Sequence, residues 1–404
     1  MTPHASSFTA PPMHERRLGT SFLLGRNKKV TGQVSTGESG HGTITAVTRR
    51  RVQPRSARAA LAGAALLTSV LVPGLLPGAP GLARAEALPV ASQTSAAPLR
   101  IASFNIRNAN SYTHQKNEKH WEDRRGTVVS LVRGEDLDVL AVQEATQGML
   151  HDPASGGKVN QYEDLVNRLG GAWQVTNENH YNCVNAASPN RCTYRYNGAS
   201  EGNRILFDAS RVQLLAQGSK ILPVPKGKGD NYMAWAQFRQ RSSGKEFLVS
   251  NLHTVGTDKD YKIKNSQAAT ALAELKAHNP SGLPMVALGD WNSSRFERPS
   301  NGPYDTYVEA GFSDPLGQTY RTHSLARATV AKKTRVWLNS SNPTWARTAP
   351  NHKEWGLGSY IDYILTTKMH VSEWETVARL DSRGRYVGTI PSDHNMVRVT
   401  VTLS

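Results

Sequence analysis

Short apolar runs alternate with amphipathic stretches along the chain from Leu99 onward. Runs of this length that are rich in apolar and β-branched residues and bounded by turn residues are typical of strands. Eight segments are predicted as strands on this basis: "RIASFNI", "LDVLAVQE", "RILFD", "MAWAQF", "EFLVSNLH", "LPMVALGD", "SYIDYIL" and "MVRVTVTL". The sequence "RSSGK" between the fourth and fifth of them predicts a hairpin turn.

Three stretches between these strands have the spacing of helices. Residues 118–133 place Trp121 and three valines on one helical face. The segment "YEDLVNRL", which two glycines terminate, and residues 261–278 are the other two predicted helices. Several predicted strands are apolar on both sides, as strands lying between two layers are. The pattern therefore predicts an α/β domain over residues 99–404 with two sheets in its core.

The first 98 residues differ in character from the rest. Residues 1–48 are polar and aperiodic, and we interpret them as a disordered extension or as sequence upstream of the true start. Residues 49–85 run from a basic segment through an apolar one to a small-residue cleavage motif, which is the pattern of a secretion signal. The apolar run is broken by Pro-Gly and is short for a bilayer span, so no stable membrane anchor is expected. We expect cleavage near Ala85, a secreted extracellular protein, and a linker over residues 86–98.

Much of the positive charge belongs to this leader. The chain has 48 Lys and Arg against 32 Asp and Glu, a formal net charge of +16. The first 85 residues hold eleven of the basic residues and two of the acidic ones, which leaves the remainder at about +7. The domain is therefore only modestly basic, and its partners must be inferred from local clusters of charge.

The two cysteines, Cys183 and Cys192, lie in one short segment. An exported protein meets an oxidising compartment, so we expect a disulfide between them. Two cysteines alone do not make a zinc site.

Polar residues lie at or near the ends of most predicted strands. Each of them alone is unremarkable, because Asp and Asn are ordinary turn residues. Together they supply carboxylates, amides and imidazoles, which can bind a hard divalent cation through oxygen and move protons near neutral pH. The candidate site residues are Asn105, Glu144, His253, Asp290, Asn292, Asp362, Asp393 and His394.

Six short motifs carry a resemblance to a known family. They are "SFNIR", "VQEA", "NLHT", "GDWNS", "IDYIL" and "SDHN", in this order, between residues 101 and 399. The chain resembles the endonuclease/exonuclease/phosphatase superfamily, which includes pancreatic-type deoxyribonucleases, abasic-site endonucleases, bacterial sphingomyelinases and inositol-phosphate phosphatases. The resemblance implies a four-layer sandwich, in which two stacked mixed β-sheets are flanked by helices. It also implies a metal-dependent phosphoesterase, here a secreted bacterial-type member.

The resemblance implies a metal position as well. Glu144 matches the family's principal metal-binding carboxylate, and Asn105 and Asp393 match residues beside that site. The implied cofactor is Mg²⁺ or Mn²⁺, and a structural Ca²⁺ is also compatible with the resemblance.

Five further residues match the family's catalytic positions. Asp290 and Asn292 match the pair that aligns or activates the attacking water. His394 matches the general acid/base, and Asp362 matches the carboxylate that orients it. His253 matches a second imidazole, present in the deoxyribonuclease and sphingomyelinase branches. An aspartate beside an imidazole raises its basicity and fixes its tautomer, which suits it to proton transfer.

A basic segment between two of the motifs bears on the substrate. Residues 321–355 hold seven basic residues and one acidic residue, with three tryptophans interleaved. Basic side chains can bind a phosphate backbone and aromatic rings can stack on bases, so the mixture favours nucleic acid. The candidate substrate contacts are Lys332, Lys333, Arg335 and Trp337.

Several alternatives stay open at this point. The same segment is compatible with a solvated basic loop, with the membrane surface that a sphingomyelinase or phospholipase C contacts, or with a phosphorylated inositol. A non-catalytic binding module is disfavoured, because all the motif residues are present. The sequence therefore favours an extracellular nuclease, expected to be monomeric, over a lipid esterase or an inositol-phosphate phosphatase.

Overall fold

The computed structural model describes residues 97–146, 150, 159–176, 202–228, 231–256, 260–318 and 328–404. The predicted extension, the secretion signal, most of the linker and the Cys183–Cys192 pair lie outside these ranges and stay predictions.

The described residues form twelve strands, four α-helices and a short 3₁₀ helix at Lys353–Trp355. The strands are β1 Leu99–Asn105, β2 Val139–Gln143, β3 Trp173–Val175, β4 Arg204–Asp208, β5 Val212–Leu222, β6 Asn231–Gln240, β7 Glu246–Asn251, β8 Met285–Asp290, β9 Lys332–Thr334, β10 Asp362–Thr367, β11 Met369–Val377 and β12 Met396–Leu403. The helices are α1 Trp121–Gly134, α2 Gln161–Leu169, α3 Tyr261–Ala277 and α4 Gly302–Glu309. None of the helices in the described ranges has the length and apolar character needed to cross a membrane.

Two mixed sheets form the centre of the domain. The first has seven strands in the order β3-β4-β2-β1-β12-β11-β9, and the second has five in the order β10-β8-β7-β6-β5. In the first sheet β1 runs parallel to β2 and antiparallel to β12. In the second β7 runs parallel to β8, which is antiparallel to β10. The predicted fold class, two mixed sheets in an α/β sandwich, is confirmed.

Alternate residues of the central strands belong to different layers, as strand geometry requires. In β1, Ile101 lies in the buried cluster shared with the second sheet, whereas Ala102 and Phe104 lie in a cluster with α1 and α2. Helix α3 adds its alanines and leucines to the cluster on the second sheet. The order of layers is therefore helices, seven-stranded sheet, five-stranded sheet, helices.

The strand directions bring the polar strand ends together. The parallel strands β1 and β2 end at one edge of their sheet, and the antiparallel β12 begins there. In the same way β7 and β8 end where β10 begins, so that Asp290 is directly opposite Asp362 in the ladder. One end of the sandwich thus collects the candidate site residues that follow β1, β2, β7 and β8 and those at the start of β10 and before β12.

Most of the predicted elements are present. The predicted helices at 118–133 and 261–278 correspond to α1 and α3. Strands β3, β5, β9 and β11 were not predicted. β11 has the sequence "MHVSEWETV", and its two interior glutamates pair with basic side chains of neighbouring segments. Helix α4 begins at Gly-Pro, a pair that marks turns in a sequence.

Replacement of Gly289 by alanine is expected to destabilise the fold. An alanine Cβ there would lie 1.9 Å from the carbonyl oxygen of Leu252, and the backbone φ is +138°. Overpacking of this kind and a φ that disfavours side chains together predict a loss of about 3 kcal/mol or more in the free energy of unfolding. Urea denaturation measures the change.

Gly126→Ala is the matched control. Gly126 lies exposed inside α1, and an added Cβ would contact nothing within 4 Å. This substitution should stabilise the protein by about 0.5–1 kcal/mol, because alanine favours the helical backbone. Equal effects of the two substitutions would contradict the close approach at Gly289.

Candidate active site

One carboxylate oxygen lies at the centre of the strand-end cluster. Oδ2 of Asp290, at the end of β8, lies 3.0 Å from Asn105 Nδ2, 3.5 Å from His253 Nε2 and 3.6 Å from His394 Nε2. The other oxygen, Oδ1, accepts a hydrogen bond of 2.9 Å from the main-chain N–H of Asn292. The Asp290 side chain is 1% exposed. Three side chains from other elements therefore converge on a buried, oriented carboxylate.

His394 is held between two carboxylates. Its Nδ1 lies 2.9 Å from Asp362 Oδ2, and its Nε2 faces Asp290. Burial opposes a charged imidazole, but the negative charges of Asp362 and Asp290 outweigh that effect and raise the pKa of His394 well above its usual range. The Nδ1 contact with Asp362 is within hydrogen-bond distance, whereas the Nε2 contact with Asp290 at 3.6 Å is one of charge. Ser340 Oγ accepts from the main-chain N–H of Asp362 and fixes this end of β10.

The side chain of Asn292 fastens the second imidazole. Its Nδ2 donates to the carbonyl of Thr254 at 2.9 Å and lies 3.0 Å from His253 Nε2. The main-chain N–H of Thr254 donates in turn to the carbonyl of Asp290 at 3.1 Å. His253 is consequently tied to the strand that carries Asp290, although it follows β7.

Two more carboxylates, those of Glu144 and Asp393, lie beside this cluster. Glu144 accepts from Asn105 Nδ2 at 3.1 Å and from the main-chain N–H of Asn108 at 3.1 Å. Burial alone would raise its pKa, but the charge of His253 and these hydrogen bonds lower the pKa below its ordinary value. NH1 of Arg107 lies 3.6 Å from Glu144 Oε2 and 3.6 Å from Asp393 Oδ2.

This pair of carboxylates fits a divalent cation. Oε2 of Glu144 and Oδ2 of Asp393 converge on one positively charged nitrogen, and hard divalent cations prefer such oxygens. Asn105 presents its amide nitrogen to the acids, while its Oδ1 accepts from the main-chain N–H of Arg107 at 3.0 Å. In this arrangement the amide nitrogen of Asn105 positions the two carboxylates.

Asp290, Asp362 and His394 could also be considered as metal ligands. Their ligand atoms lie within 4.8 Å of one another. Nδ1 of His394 is engaged by Asp362, and an Asp–His contact of this kind is also suited to proton transfer.

Three residues of the site have left-handed backbone conformations. The φ angles are +54° at Arg107, +57° at Glu144 and +45° at Asn292, and none of these residues is glycine. Such conformations cost about 1–3 kcal/mol each and persist where the surrounding structure imposes them. Their concentration at these strand ends supports the assignment of this region as the functional site.

Arg124 of α1 was not identified from the sequence. Its guanidinium is 1% exposed and donates to the carbonyls of Ile106, Arg107 and Pro391, the last at 3.0 Å. Burial lowers the pKa of Arg124 to about 10, so the side chain stays charged at neutral pH. It thus joins the segment after β1 to the segment that precedes Asp393. A sequence signal existed, since Arg124 lies three residues after Trp121 on the apolar face of the helix.

The basic residues proposed as substrate contacts are engaged within the protein. Lys332 Nζ lies 2.6 Å from Glu373 Oε1, and Arg335 pairs with Glu375. Lys333 donates to a main-chain carbonyl three residues earlier, at 3.1 Å. Two of the segment's cations, Lys332 and Arg335, are therefore paired with glutamates of β11.

The position of β9 also corrects the prediction for Lys332 and Lys333. Lys332 pairs with Glu373 of β11, and Glu373 pairs with Thr400 of β12. Thr400 lies six residues beyond His394 in the sequence. At about 3.3 Å per residue, that separation is about 20 Å along the strand. These two lysines lie at the edge of the sheet, away from the candidate site, and we no longer assign them to substrate binding.

The tryptophans of the segment have different environments. Trp345 is buried in a small apolar cluster and packs the loop from within. Trp337 is half-buried beneath Lys353, whose Nζ lies 4.4 Å from the ring centroid. Trp337, Arg335 and Lys353 line a groove of about 540 Å³ together with Arg379.

Comparison with known proteins agrees with this fold and site. The model of the endonuclease/exonuclease/phosphatase family matches residues 102–394, and the chain belongs to this family. A family member from Bacteroides thetaiotaomicron is 20% identical, with a TM-score of 0.54 over 76% of this chain and 98% of that chain. A mannosyl-6-phosphatase from the same organism is also 20% identical, with a TM-score of 0.54 over 76% of this chain and 100% of that chain. At these identities the likeness concerns the fold alone.

A curated relative matches part of the chain. Nocturnin of Drosophila melanogaster is 23% identical over 180 residues, which are 44% of this chain and 25% of that protein. The chain thus spans about a quarter of the length of this relative. Members of the family are hydrolases that act on phosphoester bonds, and the family typically depends on a divalent metal. The protein is therefore a phosphoesterase of this family.

Replacement of Arg124 by methionine should destabilise the protein by about 3 kcal/mol, because three buried carbonyls lose their donor. Urea denaturation gives the difference. Arg133→Met is a control on the same helix, since Arg133 is exposed and should change the stability by about 0.5 kcal/mol or less. Similar values for both variants would contradict the role of Arg124 as a buried clamp.

Proposed function

We propose that the protein is a secreted, divalent-metal-dependent phosphodiester hydrolase that acts on nucleic acid. The observation that carries the hydrolytic part is the set of three nitrogens around Asp290 Oδ2, with two further carboxylates alongside. A phosphodiester is a poor electrophile, so its hydrolysis requires an oriented base, positive charge near phosphorus and a proton for the leaving oxygen.

Glu144 and Asp393 would hold Mg²⁺ or Mn²⁺. When bound, the metal supplies positive charge to the anionic oxygens of the phosphate. Asn105 and the N–H of Asn108 fix the Glu144 carboxylate in advance. Because its pKa is lowered, this carboxylate is ionised and ready to bind a cation at neutral pH.

Asp290 is the proposed base for the attacking water. Its Oδ1 accepts from the N–H of Asn292, and Oδ2, which lies beside Asn105, His253 and His394, is the oxygen proposed to take the proton of the water. Strand β8 fixes Asp290 directly opposite Asp362 in a rigid ladder, which keeps the base from rotating away. The side chain of Asn292 holds His253 beside the same oxygen, so the water meets a preorganised polar surface.

His394 is the proposed proton donor. Asp362 and Asp290 favour its protonated form, and Nε2 lies 3.6 Å from Asp290 Oδ2, beside the position proposed for the phosphate. Proton transfer from a positioned imidazole to a leaving oxygen contributes typically 10²–10⁴-fold to the rate. Asp362 holds the opposite nitrogen, which fixes the orientation of the ring.

An aromatic and cationic surface supports the choice of nucleic acid. Lys353 lies over Trp337, and His352 stacks on Trp355 with 4.1 Å between ring centroids. Trp355 is 40% exposed. The intervening segment reaches the site, because Ser340 accepts from the main-chain N–H of Asp362. Exposed rings with adjacent cations are suited to stacking on bases beside a backbone.

The test is a substrate panel. Purified protein is incubated with plasmid DNA, single-stranded RNA, sphingomyelin vesicles and inositol phosphates, each with and without Mg²⁺. We expect cleavage of a nucleic acid only when the metal is present. Hydrolysis of sphingomyelin or of inositol phosphates without cleavage of either nucleic acid would reject the proposed substrate and leave the phosphoesterase chemistry intact.

Asp290→Asn should lower kcat by about 10³-fold, because the isosteric amide keeps the packing and removes the base. The rate is measured on the substrate identified by the panel, and the melting temperature confirms that the variant is folded. Asp208→Asn, a change of the same kind at the exposed end of β4, is the matched control and should leave kcat unchanged. Near-normal turnover in Asp290→Asn would remove this residue from the mechanism.

Removal of the metal should abolish activity. Treatment with EDTA followed by dialysis should reduce hydrolysis to background, and addition of Mg²⁺ or Mn²⁺ should restore it. Glu144→Gln should need a much higher metal concentration for half-maximal activity, since a charged ligand is lost. Full activity after chelation would contradict the metal-dependent mechanism.

A further inference from the structure

The guanidinium of Arg107 lies between the two carboxylates that the proposed function assigns to the metal. Its NH1 is equidistant, at 3.6 Å, from Glu144 Oε2 and Asp393 Oδ2. We propose that Arg107 is a built-in competitor of the divalent cation, which holds the two carboxylates in the metal-free protein and yields its place when the metal binds. This inference rests on the metal position proposed above and adds a residue that sets the metal affinity.

The backbone of Arg107 is fixed, although its side chain is not. The main-chain N–H donates to Asn105 Oδ1, and the carbonyl accepts from Arg124 and from Gln161 Nε2, the latter at 2.8 Å. These bonds impose the left-handed φ of +54°. The main chain of Arg107 is therefore held in place, and the side chain projects from it toward the carboxylates of Glu144 and Asp393.

The hold of the guanidinium on the carboxylates is weak in geometric terms. A distance of 3.6 Å between nitrogen and oxygen exceeds that of a hydrogen bond, so the contact is one of charge alone. Nε of Arg107 is buried without a hydrogen-bond partner. No network of directed bonds opposes the withdrawal of this side chain, within the part of the chain that the structure describes.

A divalent cation has the advantage over this guanidinium on charge and distance. It carries twice the charge, and its bonds to carboxylate oxygens are about 2.0–2.1 Å long for Mg²⁺. Without a metal, the single charge of Arg107 offsets the repulsion between the carboxylates of Glu144 and Asp393. The same charge competes with a metal for these oxygens and therefore lowers the metal affinity.

The test measures Mn²⁺ binding by isothermal titration calorimetry in the absence of any substrate. Arg107→Met removes the competing charge and keeps the length of the side chain. We expect the variant to bind Mn²⁺ about tenfold more tightly than the unmodified protein, a difference of about 1.4 kcal/mol. Unchanged or weaker binding of Mn²⁺ by Arg107→Met would overturn the proposal.

Two control variants separate this effect from others. Arg100→Met removes an ion-paired arginine from β1, whose guanidinium lies 2.9 Å from Asp136, and should leave the Mn²⁺ affinity unchanged. Glu144→Gln should weaken Mn²⁺ binding. If Mn²⁺ bound to neither the unmodified protein nor Arg107→Met, the metal position itself would be wrong, and the role of Arg107 with it. Equal, measurable binding to both would overturn the role of Arg107 alone.

A second measurement needs no variant and serves if Arg107→Met does not fold. Phenylglyoxal modifies accessible arginines, and mass spectrometry gives the rate at Arg107 in the unmodified protein. The rate should rise severalfold when Mn²⁺ is added, because the displaced guanidinium becomes accessible. An unchanged or lower rate with Mn²⁺ would contradict the displacement.

Discussion

The burial of the Asp290 carboxylate is the constraint on which the arrangement of the site depends. A buried carboxylate is stable only if its oxygens have donors, and here Oδ2 accepts from Asn105 of β1 and Oδ1 from the N–H of Asn292, with the imidazoles of His253 and His394 close by. The position of Asp290 also depends on the preceding residue. Only a glycine at position 289 lets β8 approach the carbonyl of Leu252. The two sheets must therefore meet at this end in one register, and the interaction that supplies the chemistry also specifies how the layers are joined.

The site is also a balance of charge. Glu144, Asp290, Asp362 and Asp393 lie close together, and ionised carboxylates at such distances repel one another. Each of them has a cation beside it: His394 serves Asp290 and Asp362, and Arg107 serves the other two. The two cationic side chains are held differently. His394 is enclosed by its partners, whereas the guanidinium of Arg107 has no directed hydrogen bond to either acid. This difference separates a position built for proton transfer from one open to exchange of its cation.

The sequence predicted the fold class and brought the right polar residues to one end, because strand ends and apolar runs are local features. It did not predict β11, whose alternating glutamates become acceptable in a sheet only through partners distant in the chain. The same cause explains the error at Lys332, which reads as a free cation until Glu373, about forty residues later, is placed beside it. Arg124 was missed because its function depends on carbonyls from two separate segments. Contacts between side chains that are distant in the sequence could not be predicted, because they form only in the folded chain.

The central position of β12 has a consequence for the order of folding. This strand follows all the others in the chain, yet it lies between β1 and β11 in the middle of the seven-stranded sheet. The sheet therefore cannot close until the ribosome has made nearly the whole domain. His394 and Asp393 immediately precede β12, so a nascent chain lacks both the completed sheet and the residues that complete the site. A chain interrupted before its last strand would therefore lack the central pairing of the seven-stranded sheet.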